Sequence, residues 1–398
     1  MKRYWRLIAV ILVVVLTIGT FYVQSAITAN GLPDITVEKV SGNEDEMKSV
    51  TISGSYNLGR RIGDPVQVDS DGSTYSSEQS LFEHFRNRFF NERVNQMQEE
   101  YRSFMRGKGG NDASYLETED TLAYADVINQ TVPGRDEMEL DIAVLDKASD
   151  EEAASFTVPL PNRAKYRQVY VEDVQMTDNE LRVITRNYPR DGGEEAAHLY
   201  RINIPDGEIT GEDRIALVET GENQQTYVNV VSASDRTTAH DTIIFKKMTR
   251  SISDDPNREA ASEQPAEESV EYIVYKPETE ETRSLDLPGA LADQEILDRD
   301  NTALYFIDEQ QIVQYDLETE QISSETEVPS FDKEAEKRGG AIRIWDDKAY
   351  MLTRNEQAPE RVVVLDLKSG DTLYEGKIKL DKPVDENASL DLYELSIE

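Results

Sequence analysis

Apolar residues are distributed in three ways along the chain, and the first pattern is a long, uncharged and mainly apolar stretch near the start. It covers 7–26 and follows three cations in the first six residues. About 20 helical residues span a bilayer core, and flanking cations mark the cytoplasmic side. The pattern predicts a membrane protein with a cytoplasmic tail at 1–6, a transmembrane signal anchor at 7–26, a tether at 27–33 and an exported domain at 34–398.

Residues 23–25 and 27–29 resemble signal peptidase sites only weakly, and the apolar stretch is longer than most signal peptides carry. The sequence therefore favours a retained anchor over its alternative, a cleaved signal peptide. The chain would then lie in the cell membrane as a single-pass protein, with a cytoplasmic N-terminus and an extracellular C-terminal domain.

The second pattern is helical and covers 77–106. Ser80 and Glu83 match a capping box, and Gly107 is a stop signal. An apolar stripe recurs at steps of mostly three and four residues, formed by Leu81, Phe82, Phe85, Phe89, Val94, Met97, Tyr101 and Phe104. We expect one amphipathic helix here, inserted into a β domain.

This predicted helix is also the only cation-rich stretch outside the anchor. One interpretation is that its aromatic residues pack on a sheet while its arginines face water. The other is a docking surface for an acidic partner or for lipid head groups, since a local cationic stripe on an acidic protein orients binding. The candidate partner-binding residues are Phe85, Arg86, Arg93, Tyr101 and Arg102.

The third pattern begins near Thr121, where short alternating runs predict strands separated by polar turns. In five places a strand ends in a polar residue that is followed by a turn and another strand, at Asp146, Asn203, Lys276, Asp316 and Asp366. Their spacings of 57, 73, 40 and 50 residues and about four strands per repeat are typical of β-propeller blades.

The longest spacing contains an acidic, low-complexity segment, 251–269, which we expect to be a disordered loop between two strands of one repeat. Runs at 34–40 and 49–55 predict a pair of strands separated by a polar turn at 41–48, and 389–397 is a further predicted strand. These outlying strands would complete a sixth repeat or close the ring.

The repeats Tyr-Asp-Leu-Glu-Thr at 315–319 and Leu-Asp-Leu-Lys-Ser-Gly at 365–370 carry a resemblance. They resemble the extracytoplasmic β-propeller-like repeat superfamily, over roughly 120–380. The resemblance implies a mainly β fold of short antiparallel strands and transfers no functional residue. A β-sandwich or mixed β domain is the alternative fold.

Composition narrows the classes of function. The 398 residues include no Cys and 79 acidic against 42 basic residues, a net charge of −37. No disulfide or thiolate site is therefore possible, and a nucleic-acid-binding surface is disfavoured because it needs clustered cations. We interpret the acidic excess as an adaptation to a saline or alkaline exterior.

Motifs for chemistry are weak. His84 lies among aromatic residues, His198 begins a strand, and His240 precedes Asp241 in a turn. The run 54–61 has the glycine spacing of a phosphate loop without its Lys and Ser or Thr. The run 69–74 alternates oxygen ligands, but it lacks the spacing of a calcium loop, so we expect a turn. We predict no catalytic, cofactor-binding or metal residues and no cofactor.

The sequence favours a membrane-anchored, non-catalytic binding, scaffold or sensor-regulatory protein of the bacterial envelope, in a Gram-positive bacterium, with an envelope protein as partner. A six-residue tail is too short for an output domain. The alternative is an exported hydrolase or lyase that uses carboxylates in a propeller funnel. A funnel with paired carboxylates and flanking tyrosines would favour the enzyme, and a plugged funnel would favour binding.

Overall fold

The computed structural model describes residues 32–58, 63–78, 92–132, 135–190, 196–216, 224–231, 233, 236–251, 268–292, 294, 296–308, 311–328, 342–355, 358–382 and 388–397. Within these ranges, no helix is long and apolar enough to cross a membrane. The predicted tail and anchor lie outside them, so the anchor stays a prediction.

The described residues form 25 strands. The first eight are β1 Ile35–Gly42, β2 Val50–Leu58, β3 Asp64–Val68, β4 Ser73–Tyr75, β5 Tyr115–Glu117, β6 Thr121–Val132, β7 Arg135–Asp146 and β8 Glu151–Pro159. The next eight are β9 Tyr166–Thr177, β10 Glu180–Pro189, β11 Ala196–Asn203, β12 Glu208–Ala216, β13 Gln224–Val230, β14 Ile243–Ser251, β15 Glu268–Lys276 and β16 Glu281–Leu285. The last nine are β17 Ile296–Arg299, β18 Ala303–Asp308, β19 Gln311–Asp316, β20 Gln321–Glu327, β21 Ile342–Trp345, β22 Lys348–Asn355, β23 Ala358–Asp366, β24 Thr372–Leu380 and β25 Ala388–Ile397.

Helical residues are few among those described. The α-helices are α1, Glu92–Glu100, and α2, Gly289–Ala292. Single 3₁₀ turns are formed by Glu44–Met47, Ser76–Glu78, Asp112–Ser114 and Arg163–Lys165.

The strands form six sheets of four or five strands each. Sheets I to IV contain β5–β8, β9–β12, β13–β16 and β17–β20 in chain order. Sheet V contains β21–β24 with β1 beside β24, and sheet VI has the order β25-β2-β3-β4. This succession of four-stranded sheets, antiparallel in every pairing whose register is described, confirms a mainly β, propeller-like fold.

The two chain ends complete sheets V and VI. β1 pairs with β24 from Ile35 opposite Leu380, and β2 pairs with β25 from Val50 opposite Ile397. The outlying strands were therefore predicted correctly as strands that complete repeats. The strands at 34–40 and 49–55 do not pair with each other, because each finds its partner near the C-terminus.

The five repeat residues predicted from the sequence occupy one structural position. Each is the last residue of the third strand of its sheet, in sheets I to V. Where this residue is an acid or amide, its Oδ1 accepts backbone N–H groups of the following turn; Asp316, for example, accepts from Glu318 at 3.1 Å and Thr319 at 2.7 Å. Such side-chain caps explain why these residue types recur there.

The contacts divide the chain into two compact units. Unit 1 is Met1–Arg88, Asp308–Val313 and Ser324–Glu398, and unit 2 is Phe89–Ile307 and Gln314–Ser323. In unit 2, sheets I and II share one apolar core and sheets II and III share another. In unit 1, sheets V and VI share a third core. Consecutive sheets therefore pack face to face within each unit.

A polar contact also repeats between consecutive sheets, at the turn that follows a third strand. Arg182 of sheet II donates to the Pro277 carbonyl of sheet III, and Arg283 of sheet III donates to the Leu317 carbonyl of sheet IV at 2.8 Å. Thr326 of sheet IV donates to the Leu367 carbonyl of sheet V at 3.0 Å. These turns act as docking points for the preceding sheet.

Two predicted segments are described only in part. Of the helix expected over 77–106, residues 79–91 lie outside the described ranges, as does the capping box. The rest forms α1 and then irregular turns up to Gly107, whose φ of +86° ends them as expected for glycine. Of the expected loop at 251–269, residues 251, 268 and 269 lie in strands, and 252–267 are outside the described part.

Candidate functional site

The predicted partner-binding residues are only partly described. Phe85 and Arg86 lie outside the described residues. Arg93 is exposed and forms an ion pair with Glu117, whose carboxylate also accepts from Lys147 Nζ at 2.7 Å. Tyr101 is half-buried, and Arg102 is exposed at the start of the turns after α1.

The apolar stripe of this segment packs on sheet I. Val94, Met97, Phe104 and Met105 are buried against side chains of β5, β6 and β7. Arg102 and Arg106 face solvent. The described part of the stripe therefore serves packing, while its arginines remain accessible to a partner.

Several titratable groups whose pKa values are changed by burial lie where this segment packs on sheet I. Lys108 Nζ lies 3.9 Å from the Phe104 ring centroid and 5.5 Å from that of Tyr124. Asp126 and Asp141 are direct cross-strand partners on β6 and β7. Burial raises the pKa of both carboxyl groups and lowers the pKa of Lys108. Tyr124 Oη donates to Asp126 Oδ2 at 3.3 Å.

The histidines identified in the sequence have different environments. His84 lies outside the described residues. His198 is buried beside Tyr166 and Tyr200, and its Nδ1 is 3.1 Å from Glu212 Oε1. Burial lowers the pKa of His198 to about 4, so its imidazole is neutral at pH 7 and serves packing.

Of the two loop motifs noted in the sequence, at 54–61 and 69–74, only the second lies entirely within the described residues. Asp69 Oδ1 accepts from the backbone of Asp71 at 2.7 Å and of Gly72 at 3.1 Å, which makes 69–72 a turn, as expected. In the run 54–61, only 54–58 is described, and it belongs to β2. Among the described residues, no group of three or more His, Asp or Glu side chains is placed to hold a metal ion.

The most distinctive polar site in unit 2 surrounds His240. It lies on the connection between β13 and β14, in a stretch of residues, 236–242, that we call the strap. The backbone N–H of His240 donates to Gln175 Oε1 at 2.9 Å. Its Nδ1 is 3.3 Å from Gln175 Nε2 and 3.6 Å from Asp173 Oδ2. Gln175 Nε2 also donates to Asp173 Oδ1 at 2.6 Å.

Arg299, at the end of β17, fastens both ends of this connection. Its Nε donates to the Val231 carbonyl at 2.7 Å and its Nη1 to the Thr242 carbonyl at 2.9 Å. The residue is only 3% exposed. Burial lowers the pKa of its guanidinium, while Asp173, Asp298 and Asp300 favour the charged form. Arginine stays protonated in proteins, so a full charge is held here by carbonyl groups and nearby carboxylates.

The strap is held from two other directions. Asn301 accepts from the Asp241 backbone at 3.2 Å and donates to the Ala239 carbonyl at 3.3 Å. The backbone N–H of Glu117, on β5, donates to the Thr237 carbonyl at 2.6 Å. Arg236 Nη1 lies 3.3 Å from Asp112 Oδ1. The strap therefore contacts sheets I, II and IV.

A His beside an Asp resembles the base and orienting group of a hydrolase. Here the His240 side chain is 4% exposed, and its Nδ1 faces Gln175 and Asp173. A substrate cannot reach that ring without displacement of the strap. The sequence showed His240 only as one half of a His-Asp dipeptide. Its partners Asp173 and Gln175, and Arg299 that holds the strap, carry no local signal, because distant strands bring them together.

The chain matches no protein family and no curated protein sequence. Among solved structures, it is similar to an ACO/RPE65 chimera with a TM-score of 0.43 and 11% identity, over 91% of this chain and 96% of that one. It is similar to AztD from Citrobacter koseri with a TM-score of 0.36 and 11% identity, over 87% of this chain and 96% of that one. The similarity to TolB from Acinetobacter baumannii has a TM-score of 0.33 and 9% identity, over 88% of this chain and 66% of that one. Because these TM-scores are low, the evidence for the propeller-like fold is the arrangement of sheets in this chain itself.

Proposed function

We propose that this chain is a membrane-anchored, extracytoplasmic, non-catalytic binding protein that acts as a scaffold or sensor-regulator of a bacterial envelope complex. The support for its location is the apolar stretch at 7–26 after a cationic tail, with all 79 acidic residues beyond it.

The observation that carries the non-catalytic assignment is the strap. In an enzyme, converging polar groups line a cleft that a substrate can enter. In unit 2, Asp173, Gln175 and Arg299 are buried and bonded to the strap or to one another. Polar groups arranged in this way hold a loop in place and do not line a cleft that is open to a substrate.

The surface proposed for recognition is the predicted set of Phe85, Arg86, Arg93, Tyr101 and Arg102. Its described arginines point away from the core, on a chain with a net charge of −37. We propose an acidic segment of an envelope protein as its partner. Charged groups at such a surface contribute chiefly to the association rate and to specificity.

Membrane topology can be tested with single cysteines, because the native chain has none. Glu119→Cys places a thiol at an exposed position of the proposed exported domain, and Lys2→Cys places one in the proposed tail. We expect a membrane-impermeant maleimide to label the first variant in intact cells and the second only after lysis. Labelling of both variants only after lysis would contradict the proposed location.

The docking surface can be tested by charge reversal in the full-length chain. Arg102→Glu with Arg106→Glu should reduce crosslinking to the envelope partner by about tenfold, because steering and complementarity are lost together. Arg167→Glu, at an exposed arginine on β9, is the matched control and should leave crosslinking unchanged. Equal losses in both variants, or none in either, would exclude the arginine surface.

An exported carboxylate-dependent hydrolase or lyase is the second candidate. Its support is the pair Asp126 and Asp141, with raised pKa values and Tyr124 beside them. A raised carboxyl pKa suits a general acid. If the chain cleaves a glycan or peptide, Asp126→Asn and Asp141→Asn should each abolish turnover while the fold is kept. Unchanged turnover in both variants would remove this candidate.

A further inference from the structure

The strap is held mainly through its main chain. Carbonyl groups of Thr237, Ala239 and Thr242 accept hydrogen bonds, and backbone N–H groups of His240 and Asp241 donate them. Their partners are the Glu117 backbone and the side chains of Gln175, Arg299 and Asn301, which we call the clamp. Asn301 uses both ends of its amide, as an adjacent strand would.

Two side chains of the strap are also recognised. Arg236 meets Asp112, and His240 meets Asp173 in the buried position beside Gln175. Both recognising groups are carboxylates. The clamp together with Asp112 and Asp173 thus selects a segment with a cation at one position and an imidazole or second cation four residues later.

Main-chain hydrogen bonds combined with contacts to spaced side chains are a common way for proteins to bind peptide segments. We infer that the clamp, with Asp112 and Asp173, is a binding site for a peptide segment of a partner that carries a cation and, four residues later, a histidine or second cation, and that the strap occupies this site in cis. This inference rests on the proposed binding function and adds a second, regulated site to it. The exposed positions of Ala239, Asp241 and Asn301 form the open side from which a competing segment enters.

Competition with the strap provides regulation. A tethered segment acts at an effective concentration on the order of millimolar, so a partner segment gains access only when it binds strongly or when the strap is weakened. The apparent affinity for a partner peptide falls in proportion to the fraction of molecules whose clamp is open. Weakening the strap without touching the clamp should therefore raise peptide affinity.

The experiment uses the full-length chain in mild detergent and a labelled peptide, Arg-Thr-Thr-Ala-His-Asp-Thr, identical to 236–242. Arg236→Ala with His240→Ala loosens the strap and keeps every clamp residue. We expect fluorescence anisotropy to show at least about tenfold tighter binding to this variant than to the wild type. A peptide with glutamate in place of its arginine and histidine should bind at least about tenfold more weakly, since both positions face carboxylates.

Adding Asn301→Ala to the loosened variant should reverse most of the gain. Equal affinity of the wild type and the loosened variant, or equal binding of the two peptides, would overturn the inference. If the loosened variant does not fold, amide hydrogen exchange of the wild type tests whether the peptide competes with the strap. Excess peptide should speed exchange at the amides of His240 and Asp241, and unchanged exchange at millimolar peptide would overturn it. The cysteine labelling and the Arg102 crosslinking do not involve the clamp, so they report on the proposed function separately.

Discussion

At the scale of single residues, the turn after each third strand imposes one conformational demand. Its fourth residue has a positive φ in sheets I to V, at Asp150, Gly207, Glu280, Glu320 and Gly370. This conformation costs an ordinary residue about 1–2 kcal/mol, whereas glycine adopts it freely. Three of the five positions are occupied by an acidic residue in spite of that cost. At two of them the carboxylate has an arginine partner: Glu280 pairs with Arg201 and Glu320 with Arg283.

Gly370→Ala should lower the free energy of unfolding by about 1 kcal/mol. A Cβ at this position would lie 3.8 Å from Thr326 Cγ2, an ordinary contact, so the cost comes from the φ of +76°. Denaturant titration measures the change. Asp150→Gly is the matched control, and it should be neutral or stabilising by up to about 1 kcal/mol. A stable Gly370 variant would show that the turn relaxes.

Asp126→Asn should stabilise the protein at pH 7–8, and the gain should shrink as the pH falls towards 4. Burial raises the folded-state pKa of Asp126 above its usual value. The ionised carboxylate present at neutral pH is therefore penalised in the native state, and the protonated form at low pH is not. Thermal unfolding across pH measures this, with the exposed Glu119→Gln as control. A destabilised variant at pH 8 would mean that the carboxylate of Asp126 is needed to accept hydrogen bonds from Tyr124 Oη and from the Val127 backbone.

At the scale of elements, the strands and turns follow from local sequence. Alternating apolar residues predict the strands, and an acid or amide such as Asp316 caps its own turn, so no distant partner is needed. The pairings of β1 with β24 and of β2 with β25 have no such local code. The strap is beyond local prediction for the same reason, because Gln175, His240 and Arg299 are 59 residues or more from one another.

An arginine that contacts the next sheet should contribute more to stability where its side chain is buried. The Arg182 side chain is 11% exposed and that of Arg283 is 36% exposed, and each donates to a turn carbonyl of the next sheet. Arg182→Met should therefore lower the free energy of unfolding by about 2–3 kcal/mol and Arg283→Met by about 1 kcal/mol or less. Denaturant midpoints of the two variants provide the comparison. The reverse order would mean that these contacts do not hold the sheets together.

At the scale of the whole molecule, the acidic excess is the dominant property. A net charge of −37 produces self-repulsion that salt screens, with a Debye length of about 10 Å at 0.1 M. Screening also weakens the exposed ion pairs, such as that of Lys379 with Glu38, but those contribute little each.

The unfolding temperature of the full-length chain should therefore rise with sodium chloride up to about 1 M. Differential scanning calorimetry in mild detergent measures it, and a matched series in sucrose separates screening from solute exclusion. A flat or falling unfolding temperature would show that attractive ion pairs outweigh the repulsion.

The pairing of both chain ends within sheets V and VI has a consequence for biogenesis. In a chain anchored at 7–26, as proposed, the exported residues emerge in sequence order, so β1 and β2 emerge long before β24 and β25. Both early strands must wait with open edges, which are templates for aggregation, until the final residues arrive. A chain cut short before 388–397 would leave β2 without the partner at one of its edges. The emergence of β24 and β25 is thus the step at which surveillance proteases can separate folded molecules from defective ones.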